Sequence, residues 1–122
     1  MSMAFAGYAA LFDRVDRAGD VTRPGAFGGP ATVPLLWQHR GRPVGHVTTQ
    51  EDAHGLRVAG VIDDPEAARL VRSGAVAGLS VGYRPRRVHQ GAHRELHRVD
   101  LVEVSLVAVP MQPRARVDRI DG

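Results

Sequence analysis

The chain has 122 residues, 43% of them hydrophobic, and sixteen arginines against thirteen acidic residues give a net charge of +3. A chain of this length suits one domain, spanning residues 1–122, that buries about two-thirds of the surface its unfolded form exposes. It contains no cysteine, which excludes disulfides and thiolate metal sites and is compatible with a reducing compartment.

The chain order predicts a mainly β protein. Apolar or alternating runs bounded by turn residues favour seven short strands, over residues 4–12, 33–39, 44–49, 56–62, 77–85, 94–99 and 100–110. A charged turn follows the first strand, and residues 23–27 form a loop or a very short helix. We expect a small antiparallel β-barrel with one or two flanking helices.

One helix has clear start and stop signals, within residues 63–74. Asp64 can cap it, Pro65 suits its first turn, Glu66 favours the positive end of the helix dipole, and Gly74 follows its last turn. The segment 111–122 is polar and rich in arginine and proline, and it is expected to be a partly flexible tail.

The N-terminal residues and the distribution of charge give no indication of a membrane or nucleic-acid partner. The first eight residues have neither a basic n-region nor a long apolar stretch, so we expect no signal peptide and no membrane anchor. The arginines are scattered along the sequence and few aromatic residues lie among them, so a specific nucleic-acid site is not expected. We also predict no cofactor and no metal site.

Gly78-Leu79-Ser80-Val81-Gly82 matches the G-x-S-x-G nucleophile elbow of α/β-hydrolases by letters. That elbow needs a helix directly after its serine, whereas here the helix precedes Ser80 and Pro85 opposes a second one. Ser80 is therefore expected within a strand, on the face it shares with Gly78 and Gly82. Two glycines there would leave room for a substrate backbone over the hydroxyl.

A serine nucleophile needs a base and a group that orients the base. Among six histidines, His39 ends an apolar run, whereas His46 and His97 are intermediate candidates. Glu103 lies inside an apolar strand, where a carboxylate needs a partner. Ser105 shares its face and is a rival nucleophile without flanking glycines.

Five segments in this order resemble the prohead serine proteases of tailed phages, which mature procapsids and are distantly related to the herpesvirus assemblins. The segments are GYAALFDRVDRAGDVTRPGAF, VPLLWQHRGRPVGHV, EDAHGLRVAGVI, GAVAGLSVGYRP and DLVEVSLVAVPMQPRARV. Together they span nearly the whole chain, although the family usually has a helix where only residues 28–32 stand here.

The resemblance implies a serine endopeptidase with Ser80 as nucleophile, His39 as base and Glu103 as the third residue. Herpesvirus relatives have a histidine in the third place, which leaves His97 as an alternative to Glu103. The relatives also use arginines at the oxyanion hole, which here suggests Arg114 or Arg116.

The implied substrate is the scaffold or delta segment of a major capsid protein, and the protease itself, inside an assembling procapsid in the host bacterial cytoplasm. A phage, a prophage remnant or a gene transfer agent could encode such a chain. The portal is a further possible partner, and a homo-oligomer is expected by analogy. The alternative is a β-barrel with reduced or no activity that binds capsid or scaffold protein during assembly.

Overall fold

A computed structural model describes residues 2–121, and these residues form eight strands and one helix. In chain order the elements are β1 (Met3–Leu11), β2 (Asp20–Thr22), β3 (Ala31–Trp37), β4 (Arg40–Glu51), β5 (Gly55–Ile62), α1 (Pro65–Arg72), β6 (Gly78–Gln90), β7 (Arg94–Val107) and β8 (Val117–Asp121). The prediction of a mainly β chain is confirmed.

All eight strands belong to one sheet, ordered β2-β7-β3-β4-β5-β1-β8, with β6 paired to β7. β7 is the strand on which the others converge, because β6 pairs along most of its length while β2 and β3 pair with its beginning and its end. This arrangement places β6, β7 and β3 side by side.

The structure corrects three parts of the predicted architecture. The sheet is not closed among residues 2–121, so the barrel is not confirmed. It is not purely antiparallel, since β2 and β3 both run parallel to β7. The runs 94–99 and 100–110, predicted as two strands, form the single strand β7, because Asp100 lies within the ladder and does not interrupt it.

The two strands that the sequence did not predict are short and polar. β2 begins at the last residue of the stretch 13–20 that was predicted as a charged turn, and β8 lies in the segment predicted as a polar tail. β8 pairs with β1, and the backbone just before it also contacts β6: the Leu79 N–H donates to the Ala115 carbonyl at 2.9 Å. Residues 115–117 therefore bridge β1 and the start of β6.

The helix confirms its sequence signals. The Asp64 side chain accepts a hydrogen bond from the Ala67 N–H at 2.9 Å, Pro65 is its first residue, and Gly74 after its end has a φ of +83°. Its buried residues, Ala67 and Val71, belong to the main core, which also contains side chains from β1, β3, β4, β5, β6 and β7. Within residues 2–121, no helix has the length and apolar character needed to cross a membrane.

Candidate active site

The candidate site lies across the three adjacent strands β6, β7 and β3. In the β6–β7 pair, Ser80 is directly opposite Ser105 and Gly82 is directly opposite Glu103. Directly opposite residues project to the same face, so these four share one face of the pair. The opposite face carries Leu79, Val104 and Leu106, which are fully buried in the core.

The third strand brings His39 to this face. β3 ends at Trp37, and both Gln38 and His39 have left-handed backbone conformations, with φ values of 52° and 62°. Such conformations cost non-glycine residues on the order of 1–2 kcal/mol each. The predicted strand to residue 39 therefore ends two residues earlier, and the tight turn directs the His39 ring back toward β7.

Two hydrogen bonds stabilise this turn against β7. The Gln38 N–H donates to the Leu106 carbonyl at 2.9 Å, and the His39 N–H donates to the Ser105 hydroxyl oxygen at 3.0 Å. Because the turn is held at its backbone, the His39 ring has a defined position relative to the strand that carries Glu103.

The His39 ring is paired with the Glu103 carboxylate. Nδ1 of His39 lies 2.5 Å from Oε1 of Glu103, and the other carboxylate oxygen, Oε2, accepts a hydrogen bond from the Ser105 hydroxyl at 2.8 Å. Ser105 is fully buried and Glu103 is 7% exposed, whereas the His39 side chain is 42% exposed. The carboxylate orients the ring through Nδ1, and Nε2 has no hydrogen-bond partner among residues 2–121.

The Ser105 hydroxyl therefore contacts both the backbone of His39 and Glu103, the partner of the His39 ring. Its oxygen accepts from the His39 N–H while its hydrogen goes to Glu103. Both functions of this buried hydroxyl are thus engaged within the protein, unlike those of the Ser80 hydroxyl described below.

Gly82 provides the space that the Glu103 carboxylate occupies. A Cβ added at Gly82 would lie 2.2 Å from Oε1 of Glu103 and 2.7 Å from its Cδ. Only a residue without a side chain fits opposite this carboxylate. The expectation that Gly82 leaves room for a substrate backbone is thus corrected, because the carboxylate already fills that space.

Ser80 and His39 line the same pocket, which has a volume of about 120 Å³. Ser80 is 8% exposed, and its hydroxyl makes no hydrogen bond to any residue in the range 2–121. It is thus free of the backbone-bonded arrangement expected of an ordinary strand serine, and no hydrogen bond joins it to His39. Catalytic hydrogen bonds are often long without substrate and shorten when it binds.

The rest of this pocket is mainly small and apolar, with a polar wall formed by Asp16, Asp20 and Tyr83. Burial raises the pKa of the Tyr83 hydroxyl, and the nearby Asp20 and Asp16 carboxylates raise it further. The hydroxyl is therefore neutral throughout the physiological pH range. Asp20 accepts two hydrogen bonds from the Arg94 guanidinium, at 2.9 and 2.8 Å, which joins β2 to the start of β7.

Comparison with known proteins assigns the chain to a family. The family model for the caudovirus prohead serine protease matches residues 1–121. The chain belongs to this family. It is also 32% identical over 88 residues to the capsid polyprotein of Pseudomonas phage PAJU2, a match that covers 62% of this chain and 13% of that polyprotein.

A herpesvirus enzyme shares the fold. The structure of KSHV protease in complex with a hexapeptide phosphonate inhibitor aligns with a TM-score of 0.67 at 15% sequence identity, covering 100% of this chain and 66% of that chain. The chain thus spans slightly less than two-thirds of that protease and a small part of the phage polyprotein. The resemblance to the prohead proteases, which was drawn from the sequence motifs, is confirmed.

The prohead protease pattern also singled out residues that the structure places elsewhere. His97, the alternative third residue, lies near the start of β7, six residues before Glu103, and is bonded to Glu95 at 3.1 Å. Arg114 and Arg116 are exposed and do not line the pocket shared by Ser80 and His39. The segment that contains these arginines makes a backbone contact with β1 instead, since the Arg116 carbonyl accepts a hydrogen bond from the Tyr8 N–H at 3.2 Å.

Gly78 also lies where other atoms of the chain leave no room for a side chain. A Cβ at this position would lie 2.7 Å from the Val107 carbonyl oxygen and 2.8 Å from Cδ of Pro110, so the glycine allows the chain after β7 to pass close by. The predicted groove glycines thus make room for the protein's own atoms at both positions.

Sequence reasoning missed Gln112 and the positioning role of Ser105. Gln112 is buried and lines the pocket, and its side-chain amide bonds both the N–H of Leu11 at 2.6 Å and the carbonyl of Leu11 at 2.9 Å. A glutamine that satisfies a strand backbone from 101 residues away leaves no local sequence signal. For Ser105, the i, i+2 spacing from Glu103 in one strand was the available signal, because such residues share a face.

Proposed function

We propose that this chain is a serine endopeptidase of procapsid maturation, with Ser80 as nucleophile, His39 as general base and Glu103 as the group that orients the base. The observation that carries the proposal is the pairing of Nδ1 of His39, a residue that lines the same pocket as Ser80, with the buried Glu103 carboxylate, which leaves Nε2 without a partner among the described residues.

The chemistry follows from these positions. Nε2 of His39 takes the proton of the Ser80 hydroxyl as its oxygen attacks a peptide carbonyl, and the imidazolium then donates that proton to the leaving amine. Glu103 fixes the tautomer with the proton on Nδ1 and stabilises the positive charge that develops on the ring. Water hydrolyses the resulting acyl-enzyme ester by the same route in reverse.

The edge of β6 supports binding of an extended substrate. One edge of β6 pairs with β7. At its other edge Leu79 contacts Ala115, and beyond that contact no strand within residues 2–121 pairs with this edge. Since the Leu79 N–H points to that edge, strand alternation directs the Val81 N–H to it as well. An extended peptide can add there as a strand, and the Val81 N–H is a backbone donor next to the nucleophile.

The proposed substrate is a capsid or scaffold protein segment, and the chain itself, inside an assembling procapsid. The family description and the similarity to a phage capsid polyprotein support this substrate class. Formation of a homo-oligomer and contact with the portal stay predictions.

Co-expression with the cognate capsid protein tests the proposal. Ser80→Ala removes the attacking oxygen, so we expect capsid trimming to be abolished, as measured by the mass of the capsid protein. Ser105→Ala removes a positioning hydrogen bond and is expected to slow trimming without abolishing it. Unchanged trimming by the Ser80→Ala variant would remove Ser80 from the mechanism.

The second candidate function is a non-catalytic module that binds capsid or scaffold protein. The low exposure of Ser80 and the absence of a hydrogen bond between its hydroxyl and His39 favour this alternative. Under it, the Ser80→Ala variant still binds the capsid protein, and the wild-type chain leaves the mass of that protein unchanged.

A further inference from the structure

The outer half of the β6–β7 hairpin carries an excess of positive charge. Between Tyr83 and Asp100 the chain has five arginines and two carboxylates, a net charge of +3 that equals the net charge of the whole chain. Five of the sixteen arginines of the chain therefore lie within eighteen residues of one hairpin.

Two irregularities of the strand pairing lie where three of these arginines and His97 come together. The register passes from Pro85–Val99 to Arg87–Arg98 and then to Val88–Leu96, so Arg86 is an extra residue on β6 and His97 an extra residue on β7. Such bulges redirect side chains. Together with Pro24 and Gly25, the residues Arg86, Arg87, His97 and Arg98 line one open groove, which we call the arginine groove.

The central pair of this groove lacks a counter-charge. Arg87 and Arg98 are directly opposite each other, an arrangement in which like charges destabilise the sheet. Arg86 is neutralised by Asp100, whereas neither the Arg87 nor the Arg98 guanidinium has a hydrogen bond or ion pair with any described residue. A bound anion between the two guanidinium groups would supply the missing charge and accept paired hydrogen bonds.

The groove is suited to carboxylates on a polypeptide. Its lining contains no Phe, Tyr or Trp, and His97 supplies the one aromatic ring, so it lacks the row of aromatic side chains on which successive nucleic-acid bases stack. It also continues the strand that carries Ser80, since Arg87 follows Ser80 by seven residues, or about 23 Å of extended chain. A peptide lying along β6 from Ser80 would reach it.

We propose that the arginine groove is an exosite that binds an acidic stretch of the polypeptide substrate while the segment to be cleaved lies at Ser80. The assignment of this partner as substrate rests on the proposed protease function. Binding of the acidic stretch itself does not need catalysis, so it can be measured apart from cleavage.

Fluorescence anisotropy on the full chain tests the exosite, with a labelled decapeptide of alternating glutamate and serine as probe. We expect it to bind with an affinity that decreases with salt, and the double variant Arg87→Gln, Arg98→Gln to weaken binding at least about tenfold. Arg14→Gln with Arg42→Gln is the matched control, because it removes two exposed arginines outside the groove and is expected to leave binding unchanged.

Four results would overturn the exosite. They are absence of peptide binding, equal binding by the groove variant and the wild type, equal weakening by the control variant, and tighter binding of a single-stranded oligonucleotide of equal charge. If the double variant unfolds, Arg98→Gln alone is expected to weaken peptide binding more than Arg42→Gln does, and equal effects count against the proposal. Loss of capsid trimming by Ser80→Ala with no peptide binding would leave the protease proposal standing and remove the exosite.

Discussion

At the scale of single residues, the candidate site depends on how one carboxylate is accommodated within a sheet. Glu103 is buried in β7 next to apolar neighbours, and it is stabilised there by His39 and by the Ser105 hydroxyl. The glycine opposite it, Gly82, is what allows the carboxylate to lie over β6. The pairing of His39 with Glu103 thus depends on the missing side chain at Gly82 as well as on the two polar groups.

Gly82→Ala tests this dependence. The added methyl would overlap Oε1 of Glu103, so we expect the carboxylate to move away from His39 and kcat/KM to decrease about 100-fold, because displacement of a catalytic group by about 1 Å has effects of that size. Gly91→Ala, at the tip of the hairpin, meets no atom closer than 3.7 Å and is the control. Equal peptidase activity in the two variants would contradict the role given to Gly82.

The candidate residues could be selected from the sequence, but their contacts could not. Ser80, His39 and Glu103 stand in recognisable local motifs, and those motifs occur in an order that resembles the family. The strand register decides that Gly82 is opposite Glu103 and that Ser105 reaches both Glu103 and the His39 backbone. Register arises from pairing between distant segments, which local residue patterns do not specify.

At the scale of elements, the junction between β2 and β7 holds the tip of the β6–β7 hairpin, because β2 pairs with the first three residues of β7. The Arg23 N–H donates to the Leu96 carbonyl at 3.0 Å, and its guanidinium contacts both Glu95, at 3.2 Å, and Asp13, at 2.8 Å. The Arg23 guanidinium beside Glu95 lowers the pKa of that carboxyl, and His97 lowers it further. The folded state therefore favours the ionised carboxylate.

This junction predicts a pH dependence of stability. A carboxyl whose pKa is lower in the folded than in the unfolded state stabilises the fold above its unfolded pKa, and the effect is lost as pH falls through the folded pKa. We expect Arg23→Gln to lower the unfolding free energy at about pH 6 and to have less effect near about pH 3, where unpaired carboxyls are protonated. Urea unfolding at both pH values measures this, and an equal effect of Arg23→Gln at both would contradict it.

The elements themselves were predicted to different degrees. The helix was predicted well because its cap, its proline and its terminal glycine act within a few residues of each other. β2 and β8 were missed because their residues are polar and their pairing partners, β7 and β1, are distant in sequence. The strand at residues 33–39 was predicted, but the left-handed turn that ends it at Trp37 was not.

At the scale of the whole molecule, one strand connects the proposed cleavage site to the proposed exosite. β6 begins at the bridge formed by residues 115–117, carries Ser80 beside the pocket, and extends to the arginine groove. The sheet that supports it is not closed, and β6 keeps a free edge beyond Leu79 among residues 2–121. The expected closed barrel would have offered no such edge to a substrate.

Reaction of the full chain with a fluorophosphonate probe, followed by mass-spectrometric mapping of the modified residue, tests the proposed mechanism most sharply. An activated serine nucleophile reacts with this probe, so we expect modification at Ser80, lost in the Ser80→Ala and His39→Ala variants. Modification at Ser105, or labelling of Ser80 that persists without His39, would contradict it.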